Sequence, residues 1–100
     1  MIEHLHAEDF SKHLNTKFKV NYSDEKVFDA ELVEVFELKT NPNLESFSLM
    51  FLLPIEFGFE QRVFKFEHPE METMELFIVP IRQVETGIRY EAIFNRLIEN

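Results

Sequence analysis

Apolar and polar residues alternate along most of the chain, which is the pattern of β-strands that bury one face. Short polar or Pro-containing segments separate the alternating runs and mark the turns. The pattern predicts six strands, at 16–22, 27–39, 47–53, 61–68, 74–81 and 88–94. Because the connections are short, we expect the strands to form an antiparallel meander.

One segment near the start has helical rather than strand spacing. Phe10 and Leu14 lie four positions apart, and acidic residues precede them at Glu8 and Asp9. Apolar residues at i and i+4 share one helix face, and acids favour the first turn of a helix. A short N-terminal helix is therefore predicted over 7–14.

Two of the predicted strands depart from simple alternation. In the second strand the apolar positions change face near Glu34, which predicts a β-bulge or a bend at that point. In the fifth strand, 74–81, apolar residues occupy both faces, which is typical of a strand in the middle of a fold. A long bent strand is one means by which a small sheet closes on itself.

The composition indicates one packed domain spanning 1–100. The 100 residues are 45% hydrophobic and include 12 Phe, no Trp, no Cys, 2 Gly and 4 Pro. A single core of this size needs neither a disulfide nor a metal to fold. The predicted helix is too small to cover an apolar sheet face. We therefore expect a mainly β fold in which the meander curls into a small closed or partly open barrel.

The charge is acidic and evenly spread, with a net charge of −9 at pH 7. No basic stripe is present to neutralise phosphates, so nucleic acid and anionic membranes are poor partners. The longest nearly apolar run, 47–55, has nine residues, whereas a membrane-spanning helix needs about 20. The start of the chain has no secretory-signal pattern. A cytoplasmic location is the expectation.

No catalytic or cofactor motif emerges. Gly58 and Gly87 are isolated, which excludes a glycine-rich phosphate loop, and no serine lies within Gly-x-Ser-x-Gly. His4 and His6 would share a face of an extended segment and begin a metal site, but terminal histidines are more commonly exposed surface residues. We therefore expect a non-enzymatic protein with no cofactor and no metal.

His68 has two interpretations. Beside Glu67 and Glu70 it is positioned for proton transfer, whereas in His68-Pro69-Glu70 it simply closes a strand at a hairpin turn. The hairpin turn is favoured, because proline fixes its own backbone φ angle and suits a turn.

Several residues are candidates for contact with a partner protein. Arg82 and Arg89 flank one turn and offer a cationic spot for a partner carboxylate, or pair with Glu85 and Glu91 within the sheet. Apolar side chains at positions that a meander leaves partly exposed form the rest of the candidate set: Phe57, Phe59, Ile93, Leu97 and Ile98.

Segments spread over nearly the whole chain resemble an uncharacterised family of small single-domain bacterial proteins. These segments are Glu3–Leu5, Glu8–Phe10, Phe47–Leu49, Glu67–Glu70, Glu75–Ile81 and Arg89–Asn95. The resemblance implies no enzymatic activity and no site residues. It implies a genomic setting near genes for phage-tail-like or tail-fibre-like proteins.

Two functions follow as hypotheses. The first is an interaction protein, an accessory, assembly or adaptor factor that uses a sheet edge or an apolar patch to bind a structural protein or a second copy of itself. The alternative is a small barrel that binds an apolar molecule among its phenylalanines. Six strands argue against the alternative, since barrels with fewer than about eight strands are filled by their own side chains.

Overall fold

The computed structural model describes residues 5–41 and 43–97 of the protein. Over these residues the chain forms six strands and one short α-helix. The elements are α1 (Ala7–Ser11), β1 (Lys17–Asn21), β2 (Val27–Asn41), β3 (Leu44–Leu53), β4 (Arg62–His68), β5 (Met71–Val84) and β6 (Gly87–Leu97), with a 3₁₀ turn at Ile55–Phe57. The predicted mainly β fold with a short N-terminal helix is confirmed.

The strands close into a ring in the order β1-β2-β3-β6-β5-β4, and every neighbouring pair is antiparallel. Two three-stranded meanders, β1–β3 and β4–β6, therefore face each other. The connection from β3 to β4 takes the chain across to the far side of the ring, so β4 pairs with β1 rather than with β3. The predicted curling into a barrel is confirmed, and this crossing is the point at which the ring order departs from the chain order.

The predicted irregularity in β2 lies one residue from Glu34. Leu32 pairs with Phe51 and Glu34 pairs with Met50, so Val33 is the extra residue of a bulge. An extra residue moves the following side chains to the other face. Before the bulge Ala30 and Leu32 point into the core, and after it Phe36 points outward and is 45% exposed.

Aromatic side chains fill the interior of the closed strand ring. Phe51 of β3 contacts Phe18 edge-on at 5.4 Å and Phe66 at 4.9 Å between ring centroids, and all three rings are fully buried. Tilted and edge-on contacts place the positive ring edge near the negative face of the neighbouring ring. The predicted inward faces of β3 and β4 are therefore confirmed.

Helix α1 packs against a three-stranded extension of the ring, in which the later part of β2, the start of β3 and the end of β6 pair with one another. Phe10 of α1 lies 5.9 Å from Phe47 and 5.7 Å from Phe94, and the last two rings stack at 4.6 Å. The helix ends at Ser11, before the predicted Leu14, and Asn15 turns the chain with a φ of 67°.

β5 is buried on one face only, which corrects the expectation of a strand apolar on both sides in the middle of the fold. Met74, Leu76 and Ile78 point inward, whereas Phe77 is 51% exposed and Ile81 49% exposed. In a ring one face of each strand points outward, so the apolar residues of that face lie at the surface.

Candidate protein-binding surface

The connection between β3 and β4 presents the most exposed of the large apolar side chains described here. Phe59 is 60% exposed and Ile55 is 49% exposed. Gly58 precedes Phe59 with a φ of 80°, a conformation that glycine adopts without strain. We call residues Pro54–Gln61 the Phe59 loop.

Hydrogen bonds to Tyr90 hold the Phe59 loop against the ring. The Glu60 backbone N–H donates to the Tyr90 hydroxyl at 2.8 Å, and that hydroxyl donates to the Gly58 carbonyl. Tyr90 itself is fully buried, and burial raises the pKa of its hydroxyl. Phe59 is therefore flanked on both sides by backbone groups anchored in the core.

The Glu60 carboxylate adds a second anchor. It accepts hydrogen bonds from the Tyr22 hydroxyl and from Arg62 Nε, the latter at 3.0 Å. These two donors hold the pKa of the Glu60 carboxyl below its usual range, and the same hydrogen bond from Tyr22 raises the tyrosine pKa. The Arg62 guanidinium lies over the Phe64 ring, 4.2 Å from its centroid. The result is a short, preorganised loop with an aromatic side chain at its tip.

Phe57, in contrast, is not a surface residue, which corrects its place among the candidates. It is 2% exposed and packs on Phe28 at 5.3 Å, Phe64 at 5.0 Å and Tyr90 at 5.4 Å. The 3₁₀ turn Ile55–Phe57 directs the Phe57 side chain back into the core. The alternating pattern carries no information about a turn of this kind, so the predicted exposure of Phe57 was wrong.

Arg82 and Arg89 are directly opposite each other on β5 and β6, as expected of residues that flank one turn. Arg89 forms an ion pair with Glu34 of β2 rather than with Glu85 or Glu91. Its Nε atom is buried and has no hydrogen-bond partner in the part of the chain that the structure describes. Arg82 is exposed. Of the two arginines, Arg82 is the one whose side chain is available to a partner.

Ile93 lies on the outer surface in a row that crosses three strands. Phe36 of β2, Ser48 of β3 and Ile93 of β6 are register neighbours. Ile93 is 57% exposed, whereas Ser48 is only 3% exposed because the two larger side chains flank it. The sequence singled out Ile93 but not Phe36, because the bulge at Val33 decides which face Phe36 occupies.

A second outward apolar pair was also missed. Val63 of β4 and Phe77 of β5 are register neighbours, and each is 51% exposed. The sequence shows that apolar and polar residues alternate around these two positions, but it does not show that the face with Val63 and Phe77 points outward. The side chain of Leu97 and the whole of Ile98 lie outside the described residues.

The described histidines do not converge on one site. His68 is buried at the end of β4, where it contacts His13 with 4.6 Å between ring centroids. His6 binds the Glu45 carboxylate at 2.9 Å, and His4 lies outside the described residues. Within 5–41 and 43–97, no three His, Asp or Glu side chains lie together in an arrangement suited to a metal ion.

In the same ranges no helix is long and apolar enough to cross a membrane.

These features define a small mainly β domain with a closed antiparallel ring and an outward apolar loop. A family model for a domain of unknown function, DUF6916, matches residues 5–94, and the chain therefore belongs to the DUF6916 family. No curated protein and no solved structure matches the chain.

Proposed function

We propose that this protein is a non-enzymatic interaction module that binds a partner protein through the Phe59 loop. The observation that carries the proposal is the combination of exposure and anchoring at Phe59. Its side chain is 60% exposed, while the residues on both sides of it are hydrogen-bonded to buried Tyr90. Because the backbone on both sides of Phe59 is already fixed, the loop loses little conformational freedom on binding.

The surroundings of Phe59 suit a protein partner. Ile55 adds apolar surface on the same loop, and Arg62, whose side chain is 49% exposed, adds a donor at its edge. Interface centres are enriched in aromatic residues and arginine. The partner surface would supply an apolar pocket for Phe59 and a carboxylate or carbonyl for Arg62.

As the partner class we propose a large structural protein, with this chain as an accessory, assembly or adaptor factor. The support is the resemblance described under Sequence analysis, which implies a genomic setting near genes for phage-tail-like or tail-fibre-like proteins. We also propose that the module acts in the cytoplasm. The charge of −9 supports a partner that is neither a nucleic acid nor an anionic membrane.

The alternative, a barrel that holds an apolar ligand, has no comparable support. The described aromatic rings of the interior contact one another, as Phe18, Phe51 and Phe66 do. These contacts use the space that a ligand would need.

Affinity capture from the source organism tests the proposal. Immobilised wild-type protein and a Phe59→Ala variant would be incubated with the same lysate, and bound proteins identified by quantitative mass spectrometry. We expect a structural protein that is enriched on the wild type and depleted at least several-fold on the variant. Phe77→Ala, which removes a similarly exposed ring from β5, is the matched control and should retain the partner. Equal capture by all three proteins, or no enriched protein, would overturn the proposal.

A further inference from the structure

Within 5–41 and 43–97, the later part of β6 has a strand on one side only. Pairing with β5 ends at Val79 opposite Glu91, whereas pairing with β3 continues to Leu97. Among the described residues, no backbone hydrogen bond outside the strand ladders involves 92–97. We call Ala92–Leu97 the β6 edge.

The β6 edge carries little protection against pairing with another strand. Its sequence, Ala-Ile-Phe-Asn-Arg-Leu, contains no proline, no lysine and one charged residue, Arg96. Natural edge strands are commonly guarded by charges, prolines or bulges. The part of β2 after its bulge is such a guarded edge, because it carries Glu34, Glu37 and Lys39.

The charge distribution points to a second copy of this chain as the occupant. The protein has 19 acidic residues and a net charge of −9, yet none of the acidic residues lies in the β6 edge. Two copies that approach through most other surfaces bring carboxylates together, whereas at the β6 edge they bring together apolar and amide side chains. A strongly basic partner strand would find no carboxylate within this edge.

We propose that two copies of the chain pair antiparallel through their β6 edges and form a two-fold symmetric dimer. With the two-fold axis at Phe94, Ile93 of each copy lies opposite Asn95 of the other, and no like charges face each other across the pair. The outward row Phe36, Ser48 and Ile93 of one copy then continues into the row that contains Asn95 and Ser46 of the second copy. Each β6 backbone group that points outward gains a hydrogen-bond partner.

This dimer goes beyond the proposed function, because it uses the β6 edge and leaves the Phe59 loop free. A variant that loses the dimer need not lose partner binding at the Phe59 loop, and the reverse also holds. The capture experiment with Phe59→Ala and the measurements below therefore fail independently.

Multi-angle light scattering and sedimentation over a wide concentration range test the dimer. We expect the mass to rise from the 12.0 kDa of one chain to twice that value. Because the two acidic copies repel each other at long range, association should strengthen as salt shortens the screening length, which is about 8 Å at physiological ionic strength. A protein that stays monomeric at high concentration and high salt would refute the proposal.

Ile93→Lys locates the interface. A lysine on the β6 edge should raise the dimer dissociation constant by about tenfold or more, equivalent to about 1.4 kcal/mol. Val63→Lys makes the same kind of change at a similarly exposed position of β4 and should leave the dissociation constant unchanged. Circular dichroism would verify that both variants fold. A dimer that both variants retain would place the interface elsewhere.

A crosslinking experiment provides a readout that does not depend on stability. Because the chain has no cysteine, Asn95→Cys introduces a single thiol at the β6 edge. A short bis-maleimide should link two Asn95→Cys chains efficiently, and it should link few chains that carry Lys65→Cys on β4. Equal crosslinking of the two variants, or a crosslink of Asn95→Cys to a different protein only, would contradict a dimer through this edge.

Discussion

The backbone N–H of Glu70 donates a hydrogen bond to Nδ1 of His68 at 3.0 Å. The other ring nitrogen, Nε2, lies 3.0 Å from the Thr16 hydroxyl, which itself donates to the His13 carbonyl at 2.6 Å. This arrangement assigns the proton of the neutral ring to Nε2. Protonation at Nδ1 would set two donors against each other, so the network favours neutral His68.

The stability of the protein should therefore fall in mild acid. Burial lowers the pKa of His68, and the nearby His13 lowers it further, against a smaller opposing effect of Glu70. Unfolded His68 binds its proton near the ordinary pKa of about 6.5, before the folded protein does. The free energy of unfolding should thus be highest above that pH and fall as the pH drops through the lower folded pKa.

Urea denaturation at a series of pH values from about 8 to 5 measures this loss. His68→Asn should flatten the dependence, since an amide does not titrate in this range, whereas His13→Gln retains the His68 network and should still lose stability in acid. Parallel pH profiles for the wild type and His68→Asn would show that His68 is not responsible.

Tyr90→Phe should destabilise the protein by about 1–3 kcal/mol, because the change leaves the Glu60 N–H and the Gly58 carbonyl without their shared partner. Chemical denaturation gives the free energy of unfolding. Tyr22→Phe is the matched control. It removes a hydroxyl whose acceptor, Glu60, also binds Arg62, so its effect should be smaller. A larger effect at Tyr22 than at Tyr90 would contradict this account of the Phe59 loop.

Phe57 and Phe59 lie two positions apart, but substitution by alanine should change the free energy of unfolding by very different amounts. Phe57→Ala empties a buried site among four aromatic rings and should cost about 3–5 kcal/mol. Phe59→Ala removes an exposed ring and should change stability by less than about 0.5 kcal/mol. Thermal unfolding of the two variants side by side checks both values, and similar costs would mean that the loop is placed wrongly.

Gly87→Ala should be among the more damaging small substitutions. A Cβ atom at position 87 would lie 2.2 Å from the Leu53 carbonyl oxygen, so the β3 or β6 backbone would have to move. Overpacking of this kind typically costs about 1–3 kcal/mol. At Gly58 a Cβ meets no atom of the described segments within 4 Å, and the strain comes from the positive φ. Denaturation of both variants should rank Gly87→Ala as the less stable.

Local patterns in the sequence predicted most of the fold. Period-two alternation placed Phe47, Leu49, Phe51 and Leu53 on the inner face, and all four are buried. The change of face near Glu34 located the bulge to within one residue. Such features depend on neighbours along the chain, and they are therefore readable from the sequence alone.

The features that the sequence did not predict depend on contacts between distant residues. His68 and Thr16 are 52 positions apart, and Arg89 and Glu34 are 55 apart. The pairing of β4 with β1 also joins separate parts of the chain. Of the candidate site, Phe59 and Ile93 are exposed as predicted, whereas Phe57 required knowledge of the turn that buries it.

The closing pair of the ring, β1 with β4, has a kinetic consequence. Its register contains three residue pairs, from Lys19 with Glu67 to Asn21 with Lys65, whereas β3 and β6 share ten. Pairing β1 with β4 closes a loop of more than 40 residues, which costs conformational entropy, and only three residue pairs offset that cost. The longer strand pairs offset their own loop-closure entropy more fully. β1 and β4 should therefore join late in folding and separate first on unfolding, so amide hydrogens along this seam should exchange with solvent before those of β3 and β6.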